Sequence, residues 1–541
     1  MSRPSSDRST HRSSDRSSDK SSHSLQATLG RGRSAGRGGR DAADRKAGTF
    51  DYLVVGGGTS GAVVARRLAE DPGVTVALLE AGPSDEGIDK VMSLRRWQEL
   101  LGDPDYGCDF RIEPQLRGNG DILHCRGVML GGCSSHNSCI AFQPPASDFE
   151  KWTELGALGW GPDDVEPYFQ RVRSCVSLER TDSGNEVVQA FIAAGREHGF
   201  RERDFTCDVD EGVGWFLLNK RGDQRCSSSV AYLHPLAGLP GNLTVRTNVQ
   251  VARILLENGR AVGVDTAGGA IRAEREVIVC AGAFGSPTLL QRSGVGPAEL
   301  LRGAGVPVVV DLPSVGEHLQ DHPEGVVVFE ANRPVPETTH NYYEAGLFAR
   351  VDEDAAWPDL MFHFGSEAFD MHTAPRGYPT ADHAFSLTPN VTRAKSEGFV
   401  RLRSADPGDP PIIDFRYFTD PQGYDERLMV EGVRLARELA REPSLAAWTK
   451  RELAPGTEVT SFDAISEFVR TTANTVYHPG CSCRMGADHD AQAVVAPDLR
   501  VRGVEGLRVA DASVFPIMVS TNPALTCMMI GEKAAALIHD N

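Results

Sequence analysis

No apolar run in this chain approaches the ~20 residues that a membrane-spanning helix needs. A basic excess is missing too. The formal net charge is −18, whereas a nucleic-acid binder shows a basic face. What remains is a well-solvated acidic surface, which mildly favours the approach of a small cation. The cysteines are not organised into a disulfide framework: there are eleven, an odd and scattered set with no secretory apolar segment ahead of them. Free thiols in a cytoplasmic protein are the expectation. Cys481-Ser482-Cys483 is half of a metal-site pattern, and without a matching pair no metal is expected. Aromatic residues are absent from residues 1–46. There Arg12-Ser13-Ser14-Asp15-type repeats give way to Gly-Arg-Gly segments around Arg31 and Arg37. Such a stretch buries too little surface to fold alone, so residues 1–46 read as a disordered tail.

Against these absences stands one dense signal. Asp51 to Val55 is a short apolar run with the character of a buried strand, and Gly56-Gly57-Gly58-Thr59-Ser60-Gly61 follows at once. Ala62 to Glu70 is helical in pattern, and Val74 to Leu79 is a second apolar run ending at Glu80. Strand, G-x-G-x-x-G turn, helix, strand and acid in this order are the fingerprint of a dinucleotide site. Gly56 permits the tight turn, Gly58 lets backbone approach a pyrophosphate, Gly61 lets helix pack on strand, and Glu80 faces the ribose. The helix N-terminus suits the phosphates. The glycines alone do not distinguish FAD from NAD.

Further along, helical patterns are expected at 91–101, 165–173, 185–198 and 425–441. Strands are expected at 243–247, 277–280, 306–310 and 399–402. The C-terminus reads as a strand Leu507-Arg508-Val509-Ala510 ending in Asp511, where a strand's carboxyl end presents an acid to a cofactor. A helix follows from about Thr526. There is no internal repeat.

Three more stretches carry chemistry. They are Arg126 to Ser138 with Gly131-Gly132-Cys133-Ser134-Ser135-His136-Asn137, Gly282 to Gly296, and the pairing of Tyr477-His478-Pro479 with Thr521-Asn522-Pro523. With the N-terminal fingerprint they resemble the glucose–methanol–choline oxidoreductases, from Phe50 to the end of the chain. The resemblance implies FAD as the cofactor and a mixed α/β plus α+β fold. In that fold a Rossmann-like FAD-binding domain (47–160, 220–325 and 470–541) is covered by a substrate domain on an antiparallel sheet (161–219 and 326–469). Thr59, Ser60, Gly131, Gly132, Asn137, Val251, Ala281, Asp511 and Pro523 are then FAD contacts. Within the family, His136 resembles the histidine that bonds covalently to the flavin in choline-oxidising members. The stretches Gly316–Gly325, Asp359–His363 and Phe385–Val391 also resemble those members.

The residue types fit alcohol oxidation, in which a hydroxyl proton leaves and a hydride passes to flavin. His478 is the expected base, since an imidazole titrates near neutrality. A lone His-Pro would read as a loop histidine, and the resemblance reverses that. Asn522 can donate and accept at once, which suits orienting a substrate oxygen. His363 would steady the developing alkoxide, although its apolar neighbours also suit a core histidine. Ser138 would hydrogen-bond beside the reacting oxygen. Glu324 is the specificity candidate, because a quaternary ammonium offers no N–H and needs a counter-charge and aromatic faces. Trp97, Tyr343 and Tyr477 occupy the expected cage positions.

Two departures stand out. Tyr342-Tyr343 replaces a tryptophan, a stronger cation–π face, and the segment Ser174–Glu186 is abbreviated, as if a loop and strand were missing. The resemblance implies choline as substrate, glycine betaine as end product, O2 as acceptor and a homodimer. An uncharged alcohol, a quinone acceptor, the family's hydroxynitrile lyase activity and a purely nucleotide-binding role are the alternatives.

Overall fold

The computed structural model describes residues 48–205, 209–352 and 355–540, so the tail expected over 1–46 lies outside the described residues. The first apolar run becomes Thr49–Val55, at the centre of a seven-stranded sheet. Val76–Leu79 pairs parallel on one side of it and Gly269–Val279 on the other. Leu243–Arg246 extends one flank and Leu507–Val509 lies parallel beside the end of 269–279. Tyr52 to Val55 are all buried. Successive residues point to opposite faces, so both faces are covered and no polar alternation appears.

Gly61–Leu68 follows the glycine turn and packs on the C-terminal helix Ala524–His539. Ser60 Oγ donates to the Cys527 carbonyl at 2.7 Å. Arg67 reaches the buried Glu532 carboxylate at 2.9 Å, and the Tyr232 hydroxyl donates to it at 2.8 Å. A buried charge is tolerated only with such partners.

The second sheet is antiparallel. Its order is Thr449–Ala454, Val327–Ala331, Ala384–Val391, Leu360–Gly365, Ala345–Ala349, Gly212–Trp215, with Pro323–Glu324 and Asn474–Thr475 attached at one end. Along Leu360–Gly365 the faces alternate with period two. Leu360, Phe362 and Phe364 join the cluster under helices Glu186–Glu197 and Tyr424–Leu439, while Met361 joins an aromatic cluster with Trp97, Phe142 and Tyr343. His363, two residues beyond Met361, shares its face. Both sheets belong to one compact unit.

Two expected elements differ in detail. Residues 91–101 form a short helix, Asp89–Met92, and then a 3-10 helix, Leu94–Leu100. The buried side chains there are Leu94, Trp97 and Leu100, and spacing by three is the 3-10 period. Of the run 306–310 only Val310 is in a strand, Val310–Asp311, which pairs with Val295–Gly296; Pro307 has no N–H for a ladder. The abbreviated segment retains a strand, Leu178–Arg180, antiparallel to Leu217–Arg221. Helix Pro162–Cys175 puts Val165, Phe169 and Val172 into the hydrophobic core shared with the seven-stranded mixed sheet, although residues 161–219 were expected in the substrate domain.

Candidate active site

The turns at the carboxyl ends of the parallel strands are held by their own acids. Glu80 accepts the Gly57 N–H at 2.7 Å and the Gly82 N–H at 2.9 Å. Its burial pushes the carboxyl up to about 7. Asp511 does the same for the next turn, accepting from Gly282 N at 2.8 Å, Ser286 Oγ at 2.5 Å and Ser513 N at 2.8 Å. A Cβ at Gly61 would sit 1.9 Å from the Gly56 carbonyl oxygen, and one at Gly132 would sit 2.8 Å from Gly58 Cα. Gly131 N donates to Gly57 O at 2.8 Å, so the two glycine turns are stitched together. A backbone-lined groove at strand ends, beside a helix N-terminus, fits a dinucleotide. Val251 opens the strand Val251–Glu257, and Ala281 precedes the helix Gly282–Arg292.

Beside this groove lies a cavity of about 160 Å3. All eight expected catalytic and substrate residues line it: Ser138, His363, His478 and Asn522, with Trp97, Glu324, Tyr343 and Tyr477. Thr59, His136, Asn137 and Pro523 line it as well. Gly56, Gly58, Ser60, Gly61, Glu80, Gly131, Gly132, Val251, Ala281 and Asp511 lie outside the lining.

The side chains of one wall are aromatic and acidic. Trp97 meets Tyr343 edge to face at 6.0 Å between ring centres, and Tyr343 meets Phe369 at 6.1 Å. Asn341 organises this wall: its carbonyl accepts Trp97 Nε1 at 3.1 Å, and its Nδ2 donates to the Ser138 carbonyl at 2.7 Å. Gln98 donates to Glu367, tying the segment that carries Trp97 to the one that carries Phe369. Burial pushes the Glu367 carboxyl up to about 7. Glu324 Oε1 lies 3.7 Å from His363 Nδ1, and burial raises the Glu324 carboxyl while His363 opposes that shift.

Val476 to Pro479 also line the cavity, and Gln320–Glu324 runs antiparallel beside the segment 474–480 through the pairs Glu324 with Asn474, Pro323 with Thr475 and Gln320 with Gly480. Tyr477 has φ +65°, a conformation that costs a non-glycine residue about 1–3 kcal/mol. It is fixed by Thr475 Oγ1 accepting its N–H at 2.7 Å and by Arg126 donating to its carbonyl at 2.8 Å. Beside it His322 controls the tautomer of His478. His322 Nε2 lies 2.9 Å from the Val519 carbonyl, which only accepts, so Nε2 carries the hydrogen. Burial lowers His322 to about 4, so the ring is neutral and Nδ1 is an acceptor. His478 Nδ1, 3.0 Å away, must therefore donate, which leaves the lone pair on Nε2. Burial, followed by His322, His363, Arg126 and His124, holds His478 well below the ordinary imidazole value. It stands as an unprotonated base.

His136 is buried beyond the end of the 3-10 turn Gly132–Ser135, with Nε2 3.0 Å from the Leu100 carbonyl, and burial lowers it to about 4. Asn137 Oδ1 accepts from Arg225 at 2.9 Å and from Cys139 N at 3.1 Å. Sequence reasoning missed His322, Asn341, Phe369 and Glu367. His322 carried no local signal, since its partner His478 lies 156 residues away.

Family models described as GMC oxidoreductase match residues 50–324 and 394–531. The choline oxidase of Arthrobacter globiformis is 46% identical over 516 residues, covering 91% of this chain and 94% of that one. An oxygen-dependent choline dehydrogenase of Photobacterium profundum is 34% identical, with 91% and 93% covered. Among solved structures, pyridoxine 4-oxidase from Mesorbium loti aligns with a TM-score of 0.83 at 30% identity, over 91% of this chain and 99% of that one.

Proposed function

The chain belongs to the GMC oxidoreductases, FAD-dependent enzymes acting on CH–OH groups, and from that premise we propose that its substrate is choline. Choline is oxidised to betaine aldehyde and, as the hydrate, on to glycine betaine, with O2 reduced to H2O2. The observation that carries this reading is the cavity itself. It brings a buried acid, aromatic rings and an unprotonated imidazole into one lining. A relative named choline oxidase adds support.

The trimethylammonium group rests against Glu324, Trp97, Tyr343 and Tyr477. An acid at ~4 Å contributes roughly 4 kcal/mol at an effective dielectric of 20, against about 0.5–2 for each aromatic face. Glu324 is therefore the larger single contribution. His478 Nε2 accepts the hydroxyl proton, and Asn522 and His363 hydrogen-bond the oxygen as it gains charge. Ser138 bounds the oxygen's position. Bound FAD supplies the acceptor for the carbon hydride. The cradle residues would hold its phosphates and ribose, and His136, neutral and buried, keeps a ring lone pair for a covalent bond to it. Protein whose yellow colour passes wholly into an acid supernatant carries no such bond.

Two domains follow from this division of labour, a FAD-binding part on the seven-stranded mixed sheet and a substrate part on the antiparallel sheet. The first boundary falls after helix Pro162–Cys175 rather than at residue 160. A cytoplasmic homodimer is the setting assumed.

The test is oxygen consumption with choline beside 3,3-dimethylbutan-1-ol, its uncharged near-isostere. Strong preference for choline supports the reading. Equal rates, or activity with the neutral alcohol alone, leave an alcohol oxidase and remove choline.

A further inference from the structure

The contact between Gln320–Glu324 and the His478 loop contains one buried acid that the reaction as described does not use. Asp321 is 3% exposed. Its Oδ1 accepts the backbone N–H of His478 at 2.9 Å, and its Oδ2 accepts the Tyr417 hydroxyl at 2.5 Å and the Thr475 hydroxyl. Among the described residues no Lys or Arg approaches it within 4.0 Å, and its one nitrogenous ionisable neighbour is His124, 4.0 Å away with no charge. His124 is wedged between Phe284, Phe415 and Tyr477. A buried carboxylate with three donors and no cation is an expensive arrangement. The arrangement is consistent if a cation forms beside it during turnover.

We propose that Asp321 is a positioning residue that also supplies the counter-charge for the imidazolium His478 becomes when it takes the substrate's hydroxyl proton. This rests on His478 being the proton acceptor. His322, His363, Arg126 and His124 all oppose a positive charge on His478, and the acid in the cavity lining, Glu324, faces His363 at 3.7 Å. Asp321 holds the backbone of the loop while its neighbour in sequence, His322, holds the ring. Burial moves Asp321 up to about 6, so above that pH it carries its charge. The step adds no reactant: one proton moves from substrate oxygen to His478 Nε2, and the charge that appears on the ring is balanced by one already present.

The experiment is the pH dependence of kcat/KM for the alcohol in flavin-loaded enzyme, with Asp321→Asn and Asp321→Glu. An acid that favours the charged base raises the base's pKa. Because His478 titrates well below the ordinary imidazole value, the wild-type limb near pH 6 follows Asp321 itself. In Asp321→Asn that limb moves down to the one set by His478, and the plateau falls with the weaker base. Asp321→Glu keeps the charge, so its limb stays with the wild type whatever happens to kcat. An unmoved limb in Asp321→Asn, or an equal shift in both variants, overturns the proposal. The Glu variant also carries the test if the Asn variant takes up no flavin. Its rate loss then disappears in a His478→Gln background, because the acid acts through that ring. Equal loss in both backgrounds overturns the assignment. Wild-type protein that turns over no alcohol at any pH refutes the reading of His478 itself, before any variant is made.

Discussion

The cofactor cradle and the substrate wall, neighbours across one cavity, are built from opposite materials. The cradle is backbone: glycines whose missing Cβ lets two turns touch, with acids turned inward to hold N–H groups. The substrate wall is side chain: an acid, four rings and three imidazoles delivered by elements far apart in sequence. A surface made of backbone recognises what every dinucleotide shares. A surface made of side chains can be retuned one residue at a time. The cradle should therefore fail as a whole, and the wall by degrees.

The largest expected effect is in the cradle. Gly61→Ala puts a methyl 1.9 Å from a carbonyl oxygen that cannot retreat without moving the central strand. The purified variant should lack flavin absorbance altogether. Flavin at wild-type stoichiometry would show that the cradle yields as readily as the wall. On the wall, Glu324→Gln should keep its flavin and lose about 10²–10³-fold of the preference for choline over the neutral isostere, the ~4 kcal/mol of an acid at ~4 Å converted at 1.36 kcal/mol per decade. An unchanged preference would move cation recognition to the rings alone.

The smallest effect concerns Glu367. A carboxyl raised by burial contributes stability that is present below its unfolded value near ~4.3 and lost as pH rises through about 7. Glu367→Gln removes that loss, so the melting-temperature difference, variant minus wild type, should become more positive between pH 5 and 8. A flat difference would mean that the Gln98–Glu367 tie is open to solvent.

The same contrast explains what could be read from the chain beforehand. The cradle was legible because its logic is local, with strand, turn, helix and acid inside thirty-odd residues from Phe50 to Gly82. The wall residues were reached through motifs and resemblance, since nothing within the Asp359–His363 stretch says that Met361 and His363 share a face with Trp97. His322 and Asp321 were missed for a related reason. Their partners lie some 150 residues away, and only the pairing of two segments brings them together. The helical pattern at 91–101 did not distinguish the 3-10 helix Leu94–Leu100 from an α-helix, because spacings by three occur in both.

The five residues Gln320 to Glu324 alternate in duty as an extended strand must. Glu324 lines the cavity and His322 meets the ring of His478, while Asp321 turns to Tyr417, Thr475 and the His478 backbone. The machinery that readies the base and the charge that selects the substrate are thus written on one short ribbon in a single reading frame. Loss or gain of one codon there would exchange the two faces and erase both functions together. Substitutions can vary one duty at a time, whereas the spacing between them is not free to drift.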